Sequence, residues 1–362
     1  MQTIKLIVAA GGTGGDLFPA VAVVEQLQHI ANVEAIFVGN PNRIEADVVP
    51  KLGFRFVPLS VKGYKGLRSL QTYMLPFTIV QSYLTIRKLI STFKPDVALC
   101  AGTYISYPLG LAASHTKVPV VLIESNAIPG KANRSIAKRA NLIVAAFDEC
   151  KQFLSEQAAR AVQVLGNPIR QTFGALPNQQ QARTTFGLQP NKQTILAFGG
   201  SLGARSINNA VVAMLPQLEQ MGAQVLWQTG KNYTVPQHLP ANVTVLPFID
   251  DMASAYSAAD IVVSRSGGGT VAELGVVGKP ALLVPYPYAA NKEQEHNARA
   301  LENIGAAKLI HDEHLAAQLE PTVMELLANP NALQHMATAM ASHGKPHAAR
   351  DAAHAVMKLL GK

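Results

Sequence analysis

The sequence predicts an α/β protein with two nucleotide-type domains, and three observations carry that reading. Near the start, the apolar run Lys5–Ala10 enters a glycine-rich loop, Gly11-Gly12-Thr13-Gly14-Gly15, and then a helix-like stretch. The same succession returns past the middle, where Thr194–Phe198 enters Gly199-Gly200-Ser201-Leu202-Gly203. Around both, strand-like runs alternate with helical ones, as parallel sheets with crossover helices require. Each loop permits a tight turn and close approach of backbone to ligand. The helix behind it offers N–H groups without intrahelical partners, which is phosphate-binding geometry. Neither loop matches G-x-G-x-x-G or G-x-x-x-x-G-K-[ST], so dehydrogenase and P-loop chemistry lose their usual support.

Taken in order, the strands expected in the first domain are Lys5–Ala10, Glu34–Val38, Val97–Leu99, Val120–Ile123 and Leu142–Ala145. This domain spans residues 1–165. Gly166-Asn167-Pro168-Ile169-Arg170 and a glutamine-rich stretch then read as a hinge. The second domain, 166–343, is expected to carry strands at Ile195–Phe198, Gln224–Gln228, Val243–Pro247, Ile261–Ser264 and Ala281–Val284. The alanine-rich segment 344–362 reads as a C-terminal helix packing back onto the first domain.

A chain of 362 residues that is 48% hydrophobic and 15% charged has ample material for two cores and is not disordered. Two isolated cysteines, Cys100 and Cys150, make neither a disulfide framework nor a zinc site. No secretory leader and no membrane-spanning run is read from the sequence. The net charge of +8 is unevenly placed. Between Asp47 and Asp96 there is no acidic residue, while Lys51, Arg55, Lys62, Lys65, Arg68, Arg87, Lys88 and Lys94 lie inside. Within this segment Tyr73, Phe77, Val80 and Leu84 recur at helical spacing. Two readings stand side by side: an anionic membrane surface met by the Lys62–Lys94 segment, or a core stripe with a solvated basic face. No nucleic-acid motif accompanies the charge, so no nucleic-acid partner is expected.

Ligands of open parallel sheets bind beyond the carboxyl ends of the strands, and polar signatures fall there. Glu124-Ser125-Asn126 follows one strand, Gly102–Ser106 another, and Arg265-Ser266-Gly267-Gly268-Gly269-Thr270-Val271-Ala272-Glu273 a third. The last offers backbone N–H groups and a hydroxyl to a diphosphate, with Glu273 about one turn on, suited to ribose hydroxyls or to solvent. Arg170 and Arg265 suit phosphate charge or structural ion pairs.

These motifs, together with Phe18-Pro19-Ala20, Phe248-Ile249-Asp250-Asp251-Met252 and Pro285-Tyr286-Pro287…Gln294…Asn297-Ala298, occur in order along nearly the whole chain. In that order they resemble the MurG family of glycosyltransferases, within family 28. The resemblance implies a GT-B fold, two Rossmann-like domains facing a cleft, with no metal and no cofactor. It implies inverting transfer of N-acetylglucosamine from UDP-N-acetylglucosamine to the C4 hydroxyl of undecaprenyl-diphosphate muramoyl-pentapeptide in peptidoglycan synthesis. The implied donor contacts are Arg170, Ser201, Ile249 (uracil, through its backbone), Gly268, Gly269, Thr270, Val271, Ala272, Glu273 and Gln294, with Asn297 a further sugar contact. Thr13, Gly14 and Gly15 would surround a diphosphate of acceptor or donor, and Asn126 would reach the donor sugar. The implied location is peripheral, on the cytoplasmic face of the inner or plasma membrane, with other wall-synthesis proteins as partners.

The chain departs from the family pattern at three places. Asp16 stands where the family has a histidine favoured as the base, Glu293 precedes Gln294 in place of histidine, and Tyr107 replaces a glycine. A carboxylate's reference pKa is about 2.6 units below that of imidazole, which alone slows proton removal roughly tenfold or more. Asp16 is therefore read either as the base or as a helix N-cap, with Glu124 as the reserve base. The alternatives are a related GT-B transferase with another lipid or small acceptor, a catalytically impaired nucleotide-sugar-binding scaffold and, more distantly, a nucleotide-sugar epimerase.

Overall fold

Long apolar runs buried on both faces build two parallel sheets in the computed structural model, which describes residues 3–59, 75–169, 173, 176–200, 202–289 and 291–362. Contacts divide the chain into two units, Met1–Arg170 with His347–Lys362, and Gln171–Pro346.

In unit 1 the strands are β1 (Thr3–Ala10), β2 (Asn32–Gly39), β3 (Arg55–Pro58), β4 (Val97–Ala101), β5 (Val120–Glu124), β6 (Leu142–Ala145) and β7 (Val162–Val164). They pair in the order β3-β2-β1-β4-β5-β6-β7, all parallel. Successive side chains of β1 point to opposite faces. Ile4, Leu6 and Val8 pack with Leu17, Val21, Val24 and Leu27 of helix α1 (Gly14–Ile30). Ile7 and Ala9 pack on the other face with Ile86 and Ile90 of a later helix and with Leu109, Ala112 and Ala113. Short helix α2 (Ile44–Lys51) follows β2, α3 (Leu75–Phe93) precedes β4, α4 (Ser106–His115) follows β4, and α5 (Lys131–Ile136) follows β5.

The C-terminal helix, Ala348–Leu359, lies in unit 1, where Ala352, Ala353 and Val356 are buried in the cluster built on β1 and α1. Small alanines let this helix approach α1 closely. His354 and Lys358 face outward.

In unit 2 the strands are β8 (Thr194–Phe198), β9 (Gln224–Gln228), β10 (Val243–Leu246), β11 (Ile261–Ser264), β12 (Ala281–Leu283) and β13 (Ala307–Leu309). Their order is β10-β9-β8-β11-β12-β13. Helix α6 (Arg205–Met221) lays Ile207, Val211, Met214, Leu215 and Leu218 over Ile195 and Ala197 of β8. It ends at Gly222, whose left-handed backbone (φ 75°) is cheap only for glycine. The other helices that bear on the site are α7 (Met252–Ala258), α8 (Gly268–Val277) and α9 (Glu293–Asn303).

Every strand expected from sequence lies within an observed one, to within a residue at its ends, and three more appear: β3, β7 and β13, each at the edge of its sheet. An edge strand pairs on one side only and needs no continuous apolar run. The amphipathic segment resolves in part. Phe77, Val80 and Leu84 of α3 are 70%, 57% and 58% exposed, whereas Ser82, Ile86 and Ile90 are buried, so the stripe named from sequence is surface and its neighbours form the core contact. Lys62, Lys65, Arg68 and Tyr73 lie outside the described residues.

Val356→Asp places a carboxylate where the side chain is 1% exposed and is expected to cost about 3 kcal/mol or more. The check is a fall in the urea midpoint followed by circular dichroism, with Lys358→Asp on the exposed face of the same helix leaving it nearly unchanged.

Candidate functional site

In each unit the strand order reverses between the first strand of the fold and the fourth, and the loops after those two strands are pushed to opposite faces, leaving a crevice between them. The register sets the loops side by side. Ala10 pairs with Ala101, so the Gly11–Gly15 loop adjoins Gly102, and Phe198 pairs with Ser264, so Gly199 adjoins Arg265.

In unit 1, Thr13 is the N-cap of α1 by backbone (φ −137°, ψ 164°). Asp16 is the third helical residue, not the cap, which corrects that half of the sequence reading. Thr13 Oγ1 donates to Asp16 Oδ2 at 3.3 Å. Asp16 is half-buried and rests on Gly102, where any side chain would overlap its carboxylate. The space in front of Gly12 is open.

Behind the loop sits Glu45, 1% exposed, which nothing in its own stretch of sequence singles out. Its carboxylate accepts the N–H of Gly12 and the N–H of Asn40, each at 2.8 Å. A side chain at Gly11 would overlap that carboxylate, so Gly11 (φ 150°) must be glycine for steric and backbone reasons together. Glu45 thereby fixes the loop and withdraws the Gly12 N–H from any ligand.

Glu124, the reserve base of the sequence reading, braces its own loop. It is 3% exposed and accepts from Asn126 N (3.0 Å), Asn126 Nδ2 (3.4 Å), Gly130 N (3.0 Å) and Asn133 Nδ2 (2.9 Å). Burial pushes its carboxyl above the usual range, against those four donors. With both oxygens bonded from within the chain, it holds the loop that carries Asn126.

Unit 2 collects the residues of the expected donor site. Helix α8 starts at N-cap Gly267, with Gly268, Gly269 and Thr270 in its first turn and open space in front of Gly267 and Gly269. Its first N–H groups and dipole suit an anion. Val271 turns its side chain into the core at 1% exposure, so only its backbone is available to a ligand. Glu273 accepts from Tyr256 Oη at 3.0 Å. Tyr256 is fully buried, and that burial, followed by the Glu273 charge, holds its phenol well above the usual range. The tyrosine is therefore a permanent donor that orients the carboxylate.

Arg265 takes the ion-pair reading. It donates to Asp312 Oδ1 at 2.5 Å, to Ser206 Oγ at 2.9 Å and to the carbonyls of Val284 and Pro285, and its side chain is 13% exposed. Asn297 is fully buried and donates to the Ser266 carbonyl at 3.1 Å, bracing the glycine loop from α9. Gln294 is partly exposed; its Oε1 accepts from Tyr286 N at 3.0 Å and its backbone carbonyl accepts from Ser266 Oγ at 2.7 Å, which leaves its Nε2 as a donor. Asp251 caps α7 by accepting from Ser254 N at 3.0 Å. Ile249 is 2% exposed and its N–H donates to Gln228 Oε1 at 2.8 Å. Arg170 and Ser201 lie outside the described residues. Among the described residues no group of three or more His, Cys, Asp or Glu side chains is arranged to hold a metal ion.

The glycosyltransferase family 28 N-terminal domain model matches residues 6–145, and the family 28 C-terminal domain model matches residues 194–353. The UDP-N-acetylglucosamine–N-acetylmuramyl-(pentapeptide) pyrophosphoryl-undecaprenol N-acetylglucosamine transferase of Thermodesulfovibrio yellowstonii is 37% identical, over 95% of this chain and 96% of its own. The protein of the same name from Chlorobaculum parvum is 38% identical, over 98% and 99%. The crystal structure of Acinetobacter baumannii MurG superposes with a TM-score of 0.78 at 27% identity, covering 99% of this chain and 100% of that one. A UDP-GlcNAc 2-epimerase from Neisseria meningitidis, at TM-score 0.70 and 18% identity, shares the fold alone. Its two domain matches, the full-length relatives and the two Rossmann-type sheets make this chain a member of glycosyltransferase family 28, in its MurG branch, with the GT-B fold.

Proposed function

We propose that this protein transfers N-acetylglucosamine from UDP-N-acetylglucosamine to the C4 hydroxyl of undecaprenyl-diphosphate muramoyl-pentapeptide, inverting the anomeric carbon. The observation that carries the reading is identity of 35–38% over nearly the full length with transferases of that name. Likeness in fold alone would not choose between transferase and epimerase.

Unit 2 holds the donor in this reading. The Ile249 carbonyl meets the uracil, and the ring of Phe248, 44% exposed, lies beside it in sequence as a surface for the base. Glu273, oriented by Tyr256, accepts from the ribose hydroxyls. The first N–H groups of α8 take the diphosphate, and Gln294 Nε2 donates to the sugar. Unit 1 holds the acceptor, whose diphosphate meets the N–H groups of Gly14 and Gly15, while Asn126 is kept in place for the sugar by Glu124.

In the reaction the acceptor's O4 forms a bond to the anomeric carbon as the bond from that carbon to the diphosphate oxygen breaks. The hydroxyl proton passes to the Asp16 carboxylate, and the electron pair leaves with UDP. The charge growing on the diphosphate is met by the α8 N-terminus, a preorganised group of N–H dipoles.

Asp16→Asn removes the proton acceptor and nearly keeps the shape. It is expected to lower acceptor-dependent UDP release by about 10²- to 10⁴-fold while the Kd for UDP stays unchanged. Unchanged release would assign Asp16 to helix geometry alone. Release seen only in Asp16→His, with the parent binding donor, would favour the scaffold.

The protein acts, in this proposal, from the cytoplasmic face of the membrane as a peripheral protein. Among the described residues no helix is long and apolar enough to cross a bilayer. Support comes from α3, where exposed Phe77, Val80 and Leu84 precede exposed Arg87, Lys88 and Lys94. Phe77→Ser with Leu84→Ser is expected to weaken cosedimentation with phosphatidylglycerol-containing vesicles at least tenfold, since each side chain contributes about 1.5 kcal/mol or more when buried. Equal binding by parent and variant would remove α3 from the membrane contact.

A further inference from the structure

Gln228 closes β9 at the carboxyl edge of the unit 2 sheet, and it is 3% exposed although its side chain is polar. The amide uses both ends. Its Nε2 donates to the Gly200 carbonyl at 3.0 Å, and its Oε1 accepts from Ile249 N at 2.8 Å. One side chain thus ties the glycine loop after β8 to the segment after β10, two loops that share no strand pairing because β9 lies between them. Close packing of the loop is enforced nearby: any side chain at Gly203 would overlap the Thr229 carbonyl, one residue beyond Gln228.

We propose that Gln228 is a positioning residue that sets nucleotide affinity and base preference by fixing the Ile249 peptide and the Gly200 loop relative to each other. The proposal rests on the donor reading above. A backbone group discriminates between bases only if its position is held tightly, because pyrimidines differ at N3 and at the exocyclic group by donor and acceptor alone. With the Ile249 N–H held by Gln228, the Phe248–Ile249 peptide keeps one orientation, which narrows the positions from which the Ile249 carbonyl, on the next peptide, meets an N3–H donor, a group that uracil has and cytosine lacks. A site built to pair a hydrogen-bonding group rejects an analogue that leaves it unpaired far better than an apolar site does. The amide makes both bonds at once. Ionised glutamate can still accept from Ile249 but cannot donate to Gly200, and methionine of similar length offers no donor and only a weak acceptor.

The two substitutions separate the two hydrogen bonds. Equilibrium binding of UDP and CDP, donor KM and kcat, and thermal midpoints are measured for the parent, Gln228→Met and Gln228→Glu in the full chain. Gln228→Met is expected to weaken UDP about tenfold, to raise the donor KM by a similar factor with kcat within about threefold, and to narrow the UDP-over-CDP preference several-fold. Gln228→Glu is expected to weaken UDP as well yet keep the preference, since the Ile249 bond survives. Unchanged UDP affinity in both variants overturns the proposal, as does an equal loss for UDP and CDP in Gln228→Met accompanied by a lowered thermal midpoint, the mark of a purely structural group. Failure of the parent itself to bind UDP overturns the donor reading and the proposal with it, and the parent measurement alone tells that case apart.

Discussion

The reversal of strand order beside β1 and beside β8 is the constraint from which both sites follow. Where β1 pairs with β4, and β8 with β11, the connections leave toward opposite faces, so the chain cannot fill the space beyond the carboxyl ends of those strands. The tightest turns, the helix starts and the unpaired N–H groups collect there by topology, before any side chain is chosen. Glycine then becomes a requirement of close approach rather than of flexibility, as at Gly11 against Glu45 and at Gly203 against Thr229.

What fills the rest of each crevice is a set of buried polar groups that saturate one another. Glu45 takes backbone N–H groups on two loops, Glu124 takes four donors from a single loop and the helix after it, and Arg265 joins α6, the segment just after β12 and Asp312 through Ser206 and two carbonyls. Buried polar groups left unpaired are costly, so each network is close to all-or-none. That gives rigidity at the loops without placing apolar bulk where a ligand must enter. The same saturation commits these groups to holding backbone in place.

The central strands and the glycine loops were legible because their cause is local. A strand buried on both faces is an apolar run, and a loop that must turn tightly is a run of glycines. The edge strands β3, β7 and β13 escaped notice because Arg55–Pro58, Val162–Val164 and Ala307–Leu309 are short and only partly apolar. The braces escaped for a different reason. Glu45 meets Gly12 across 33 positions and Arg265 meets Asp312 across 47, so neither partner is visible from its own neighbourhood. Glu124 is a third case: its place at a strand end is visible in sequence, but the donors that gather around it are not. Gln228 did carry a signal, a long polar side chain that follows the apolar Val225–Trp227 at the carboxyl end of its strand.

Among the three carboxylates of the unit 1 crevice, Asp16 alone combines partial exposure with a place in the first turn of a helix at the glycine loop. A carboxylate is by its reference pKa a weaker base than the imidazole it replaces. A weak base takes the hydroxyl proton late, when the new bond to the anomeric carbon is well advanced. The reaction then leans more on departure of UDP than on activation of the acceptor. In the proposed reaction, departure is governed by how well the α8 N-terminus holds the diphosphate and by how firmly the nucleotide is seated while charge moves onto it. On that proposal a carboxylate in place of imidazole in unit 1 shifts the demand onto the rigidity of unit 2, where Tyr256, Arg265, Asn297 and Gln228 each hold a piece of backbone or a carboxylate.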